Sequence, residues 1–255
     1  MFSSIGNLYT DFILRWNPLP NKRWKQATAP LVILNQLSKK EKKALKKWVI
    51  LFLYEKTITG VKGLKITPEM EIIIAAQACL PILNLGVDYY DGWVEVVVYP
   101  AAFKVNRHHT DDAGLVSEQD SHLSGEAWQR GPVILSWQDV LADSYQISAG
   151  HNIIIHEFSH KLDMLNGRAN GMPPLHPSMH REQWTRSLSQ AYEHLIQQVD
   201  NNSPSYINQY AATNPAEFFA VISEYFFTAP TILLDYCPEV YQQLTLFYKQ
   251  NRLST

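Results

Sequence analysis

The chain has 255 residues, of which 46% are hydrophobic, with 22 Lys plus Arg against 24 Asp plus Glu for a net charge of −2. That length and apolar content suit one large domain or a domain with an appendage, and exclude a chain dominated by disorder. The near-neutral balance excludes a global electrostatic grip on nucleic acid, and no apolar run approaches the length of a membrane span.

Two cysteines, Cys79 and Cys237, are too few for a disulfide framework and form no CxxC pair. They read as buried thiols in a reducing cytosol. The opening stretch MFSSIGNLYTDFILRW lacks a basic region followed by an apolar core, with Asp11 interrupting it, so no secretory leader is expected. A cytoplasmic protein is the expectation.

In chain order, the first 35 residues are rich in aromatics and prolines (Trp16, Pro18, Pro20, Trp24, Pro30) and read as an irregular arm packed on the domain. LSKKEKKALKKWVILFLYEK follows as a helix, with Ser38 and Glu41 in a capping-box pattern and Leu45, Trp48, Val49 and Leu53 at helical spacing. Its lysines, Lys39, Lys40, Lys42, Lys43, Lys46 and Lys47, read as a solvated face, with a partner or nucleic-acid contact as the alternative. TPEMEIIIAAQACLPIL is a second helix, capped by Thr67 with Pro68 in its first turn.

WVEVVVYP (93–100) is a β-branched strand stopped by Pro100, and GPVILSW (131–137) is another. Residues 104–127 between them are polar and read as a loop that could hold a hairpin. A helix runs from Asn152 to about Asn166 and ends at Gly167; a Gly/Pro-rich loop follows. EQWTRSLSQAYEHLIQQV is a helix, NPAEFFAVISEYFF (214–227) another with Asn214 as N-cap and Pro215 at the first position, and Pro238 to Arg252 a last one. Strands embedded among helices predict an α+β fold.

Within IIIHEFSHKLD, His156 and His160 lie one turn apart, with Glu157 beside the first. On a helical wheel His160 falls about 40° from His156 and Asp163 about 20° on the other side, while Ile154, Ile155, Phe158, Leu162 and Leu165 face the opposite way. A helix so anchored holds two imidazoles rigidly over a cleft. Two such rings can share one zinc, which needs a third protein ligand and an open position for water. Glu157 stands where it can take a proton from that water and pass it to a leaving amine. Chance alone produces an HExxH in about one such sequence in 60, so the motif by itself is suggestive only.

Glu217 is the candidate third ligand. Glu224, seven residues on, shares its helix face with Ala220 and Val221, whereas Phe219, Ile222 and Phe226 make the strongly apolar side. Glu217 then reads as a ligand and Glu224 as an acceptor for a histidine N–H. The residues alone leave open the alternative of two exposed helix charges, Glu217 favouring the helix N-terminus.

Three blocks taken together, SGEAWQRGPVILSW, NIIIHEFSHKLDMLNG and YAATNPAEFFAVISEYFF, resemble the MtfA (Mlc titration factor A) family of zinc-dependent peptidases. The match spans roughly residues 85–250, in the expected order; the first 80 residues carry little of it. The family is similar in its core to the catalytic domain of anthrax lethal factor, a zincin. The resemblance implies an α+β, zincin-like domain over residues 85–255 with a small sheet and an active-site helix, preceded by a helical N-terminal region over residues 1–84 packed on it. It implies one Zn2+ held by His156, His160 and Glu217, with Glu157 as catalytic base. It places Tyr210, seven residues before Glu217, where a phenol could hydrogen-bond an oxyanion; an ordinary packing aromatic is the alternative.

In some relatives an upstream histidine near the position of Ser117 approaches the metal. Serine cannot serve so here; His108, His109 and His122 read as surface residues, with substitution of one of them for that histidine as the alternative. VILSW could be an edge strand that pairs with an extended peptide, or an interior strand.

The function expected is hydrolysis of peptide bonds, aminopeptidase-like by the resemblance. The alternative is a regulatory binding protein that sequesters an Mlc-type transcriptional repressor and so regulates glucose phosphotransferase genes, with a structural or vestigial zinc. A phosphodiester hydrolase is a weaker reading, since no phosphate-cradling glycine loop is present. Direct nucleic-acid or membrane partners are not expected.

Overall fold

A computed structural model of the chain describes residues 2–101, 131–146 and 148–253, with side chains from Leu8 onward. The expected loop at 104–127, with Ser117, His108, His109 and His122, lies outside the described residues.

Helices dominate. α1 (Phe2–Trp16) and α2 (Asn21–Thr28) precede α3 (Lys39–Glu55), and α4 (Pro68–Ala78) follows. α3 starts at a full capping box: the Glu41 amide donates to the Ser38 hydroxyl and Glu41 accepts from the Ser38 amide at 2.8 Å. Thr67 caps α4 and Pro68 occupies its first turn. The first 35 residues are therefore not an irregular arm. α1 packs on α3, with Ile13 buried and Leu8, Tyr9, Phe12 and Trp16 exposed. α2 follows a proline, Pro20, that offers no capping side chain. Short helices such as these depend on tertiary packing, which local sequence does not display.

Three parallel strands form one sheet in the order β1 (Thr57–Gly60), β2 (Glu95–Tyr99), β3 (Val133–Ser136). Ile58 stands opposite Val96, and Val97 opposite Ile134. β1 is four residues long and directly follows α3. Its pairing with β2, not its own pattern, makes it a strand, and the periodicity of the sequence did not mark it. Parallel strands need a crossover, and α4 lies in the one between β1 and β2.

α5 (Trp137–Tyr145), also unmarked by sequence, leaves β3 with Ser136 as its cap. α6 (Ile153–Asp163) carries the HExxH motif, α7 (Arg181–Asp200) follows the Gly/Pro loop, and α8 (Pro215–Thr228) carries Glu217. α9 (Pro230–Tyr236) and α10 (Pro238–Tyr248) close the chain.

One hydrophobic core draws on both the first 84 residues and the remainder. Phe158 of α6 sits in an aromatic nest, its ring centroid 5.1 Å from Tyr90, 5.6 Å from Trp93 and 5.8 Å from Phe52. Burying such a ring contributes about 1.5–3 kcal/mol, and it fixes the roll of α6 so that the opposite face looks into a cleft. α8 is buried on every side from Glu217 to Thr228, as expected of a helix apolar all round. Cys79 and Cys237 are buried free thiols.

Candidate metal centre

The histidine helix begins in a polar network. Asn152 caps α6 by accepting from the Ile155 amide at 2.9 Å, and its own side-chain amide donates to Gln77 of α4 at 2.9 Å. Asp143 of α5 accepts from the Ile153 amide at 2.8 Å. The Asn152 amide donates to Glu224 Oε2 of α8 at 2.5 Å. Three neighbouring helices thus hold the first turn of α6 before the first histidine is reached.

Four side chains then converge from α6 and α8. His156 Nδ1 lies 2.8 Å from Glu224 Oε1, and His156 Nε2 lies 3.0 Å from Glu217 Oε2. His160 Nε2 is 3.3 Å from the same Glu217 oxygen and 3.2 Å from His156 Nε2. His156, Glu217 and Glu224 are buried, and His160 is half-buried. The alternative of exposed helix charges therefore fails for both glutamates. Asn214 caps α8 through the amides of Ala216 and Glu217, which sets the Glu217 backbone at the mouth of the cleft.

The chemistry of this donor set can be tested against a metal ion. Ligands bonded at 2.0–2.1 Å in a tetrahedron stand about 3.3 Å apart, and the three atoms lie at 3.0, 3.2 and 3.3 Å. When His156 donates its Nδ1 proton to Glu224, a neutral ring points a lone pair from Nε2 at the Glu217 carboxylate. Two acceptors 3.0 Å apart need a cation between them, either a proton or a metal. Burial alone would lower the His156 pKa, but hydrogen bonds to Glu217 and Glu224, with the charges of Glu224 and Glu157, push it up to about 10. Burial likewise works to raise the pKa of Glu217, yet His156 and His160 hold it well below the usual carboxylate range. The three residues fit a metal site, and among the described residues they are the group of histidine, cysteine and acid side chains so disposed.

The last turn of α6 is tied to the start of α8. Asp163 is wholly buried, and its Oδ2 accepts from the amides of Asn170 and Gly171, each at 2.7 Å. Gly171 has φ +77°, and a Cβ there would come 2.6 Å from the Pro215 carbonyl oxygen. Only glycine combines that conformation with so close an approach. His160 Nδ1 and Asp163 Oδ1 are both buried without a hydrogen-bond partner among the described residues.

A cleft of about 920 Å³ opens over these groups. Glu157, Tyr210 and residues Val133–Ser136 of β3 line it. Tyr210 is half-exposed, its ring centroid 6.1 Å from that of His156. Among the described residues β3 pairs with β2 alone. The cleft also meets Lys161, whose Nζ donates to the Gly131 carbonyl at 2.7 Å. Burial lowers the Lys161 pKa to about 8 against the opposing charge of Glu157. Lys161, Asp143 and Gln77 carry no motif spacing, and sequence reasoning passed over them; only the fold brings them to the site.

Residues 7–249 match the model of the glucose-regulated metallo-peptidase M90 family. The chain belongs to this family. Curated proteins named Mlc titration factor A are similar to the chain over most of its length. The chain is 42% identical over 234 residues to the Mlc titration factor A of Klebsiella pneumoniae, covering 91% of this chain and 87% of the relative. It is 42% identical over 236 residues to that of Escherichia fergusonii, covering 91% and 88%. To that of Serratia proteamaculans it is 40% identical over 235 residues, again covering 91% and 88%. Membership of a metallopeptidase family gives the cluster of His156, His160 and Glu217 its context. No described helix is long and apolar enough to cross a membrane.

Proposed function

We propose that this M90 family member is a zinc-dependent, aminopeptidase-like enzyme of the cytoplasm, with one ion held by His156, His160 and Glu217. The observation that carries this reading is the mutual spacing of those three donor atoms beneath a cleft that also receives Glu157. A zinc ion there would lower the pKa of a bound water towards 7 and polarise the scissile carbonyl.

The protein's own groups supply the rest. Glu157 takes the proton of the attacking water and delivers it to the leaving amine. The Tyr210 phenol donates a hydrogen bond to the oxyanion. Glu224 orients the His156 ring by accepting from Nδ1. β3, at the cleft wall, offers backbone groups to an extended peptide.

The test is elemental analysis and peptide hydrolysis on wild type, Glu157→Gln and Glu217→Ala. Wild type should carry about one zinc and hydrolyse peptide; Glu157→Gln should keep zinc and lose hydrolysis, and Glu217→Ala should lose most of both. Zinc retained in Glu217→Ala, or hydrolysis surviving in Glu157→Gln, would overturn the assignment.

The name of the relatives, Mlc titration factor A, favours a second activity, binding of an Mlc-type transcriptional repressor. Glu157→Gln separates the two, because repressor binding would survive a substitution that stops proton transfer.

A further inference from the structure

The packing of α1 against α3 leaves a groove of about 510 Å³ that shares no residue with the cleft of the metal centre. One wall is a single face of α3. Lys40, Lys43, Ala44, Lys47 and Ile50 line it, and spacings of three and four place all five on one stripe. The other wall is Leu14 of α1, with Pro18 and Leu19 of the turn after it. Leu14, Leu19, Ala44 and Ile50 are half-buried, whereas Lys40 and Lys43 are exposed. The apolar groups therefore form the floor and the ammonium groups the rim.

Lys46 joins the rim, where it donates to Asn21 Oδ1 of α2 at 2.7 Å. Among the described residues every ion pair involves a histidine, so none of these four lysines has a carboxylate partner there. Like charges one turn apart on a helix repel. The local sequence adds to that repulsion: the first 50 residues hold ten Lys plus Arg against two Asp plus Glu, on a chain whose net charge is −2. The remainder of the chain is acidic, so the basic charge is gathered at this end. A row of lysines on a polar surface needs only water. Here the row borders apolar side chains that line an open groove, and water satisfies only the charges.

We propose that this groove docks an acidic amphipathic helix of a protein partner. From Lys40 to Ile50 the wall runs about 15 Å, roughly three turns of helix. A partner helix laid along it sets apolar side chains at i, i+3, i+4 and i+7 into the floor. Carboxylates on its flanks then meet the lysines. A nucleic acid would satisfy the lysines but press its phosphates over Leu14, Leu19 and Ile50 without gain. A bilayer calls for apolar groups that protrude beyond the charged ones, and in the groove that order is reversed. The inference stands apart from both the peptidase and the repressor readings.

The experiment is a fluorescence-anisotropy titration of a labelled synthetic peptide with the full chain. The peptide carries leucines at i, i+3, i+4 and i+7 on one helical face and glutamates on both flanks. A scrambled peptide of the same composition has no such face. The helical peptide should bind saturably with a Kd of about 100 μM or tighter, and the scrambled one at least about tenfold more weakly. Raising the salt from about 50 to 300 mM should weaken binding several-fold. Lys40→Glu with Lys43→Glu should weaken it about tenfold or more. Both side chains are exposed, so the melting temperature should hold. Lys22→Glu with Lys25→Glu on α2 makes the same change in net charge outside the groove and should weaken binding less than about twofold. Phosphatidylglycerol vesicles test the exposed Leu8, Tyr9, Phe12 and Trp16 of α1 as a bilayer contact, a DNA duplex tests the lysines alone, and sedimentation tests a second copy of the chain. Absence of saturable peptide binding up to about 1 mM would overturn the proposal, as would a scrambled peptide that binds equally or groove variants no weaker than the α2 variants. So would vesicles or duplex bound more tightly than the peptide, or a dimer that Lys40→Glu with Lys43→Glu dissolves.

Discussion

His156 is held between two carboxylates from one helix, and the inner contact, Nδ1 to Glu224 Oε1 at 2.8 Å, fixes which nitrogen faces the cleft. With the Nδ1 proton committed to Glu224, Nε2 is the atom left to bind a cation. Glu224 also accepts from the Asn152 amide, so one side chain orients the ring and anchors the helix that bears it. Glu224→Gln should weaken zinc binding by about 10–100-fold while leaving the stoichiometry at saturation unchanged. Competition with a chromophoric chelator measures it. Affinity equal to wild type would remove Glu224 from the metal's support.

The metal-free protein should show a pH signature opposite in sign to that of metal binding. Folding raises His156 from 6.5 to about 10, so its contribution to stability is complete below pH 6.5 and disappears as pH rises through about 10. Folding lowers Glu217, so its contribution is present above its ordinary value of 4.5 and disappears as acid protonates the folded carboxylate. The melting temperature of chelator-treated protein should therefore be highest near pH 5–6.5 and fall towards pH 10. Zinc affinity should instead climb across that range, because the metal displaces the proton that His156 retains. Melting curves and chelator competition over the same buffers would show the crossing; a metal-free protein that grows more stable from pH 6.5 to 9 would contradict it.

Gly171 should tolerate no side chain. Its φ of +77° strains any other residue, and the new Cβ would press on the Pro215 carbonyl at the head of α8. Gly171→Ala should cost about 1–3 kcal/mol in a denaturant titration. The displacement would pass to Glu217, two residues beyond Pro215, so zinc affinity should fall together with stability. A variant as stable as wild type would mean that this loop yields more easily than the contact suggests.

What the sequence made legible were features that act over a few residues. The caps at Ser38, Thr67 and Asn214 are local hydrogen bonds between near neighbours, and each helix starts where its cap stands. β1 was invisible because four residues after a helix become a strand only through pairing with β2, nearly forty positions away. α1 and α2 are hard to see in the sequence because several of their aromatic residues are exposed or partly exposed and α2 starts after a proline that offers no capping side chain. On α8 the helix is apolar on nearly all sides from Phe218 to Phe227, so its two acids had to be buried and partnered. That signal was present in the sequence, but periodicity alone could not say that the partners were imidazoles some sixty residues earlier.

Tyr210 offers the clearest separation of catalysis from architecture. It is 48% exposed, stands in a short turn capped by Asn208, and reaches the cleft without belonging to the core. Tyr210→Phe removes one oxygen and leaves the ring beside His156. Stability should therefore change by no more than about 0.5 kcal/mol, as for a surface substitution. Zinc content should not change, because the three donor atoms lie on α6 and α8. If the phenol donates to the developing oxyanion, kcat should fall about 10²-fold or more with little change in KM, since the lost hydrogen bond exists chiefly in the transition state. A rise in KM at constant kcat would instead make Tyr210 a substrate-binding surface, and unchanged kinetics would leave its ring as packing alone.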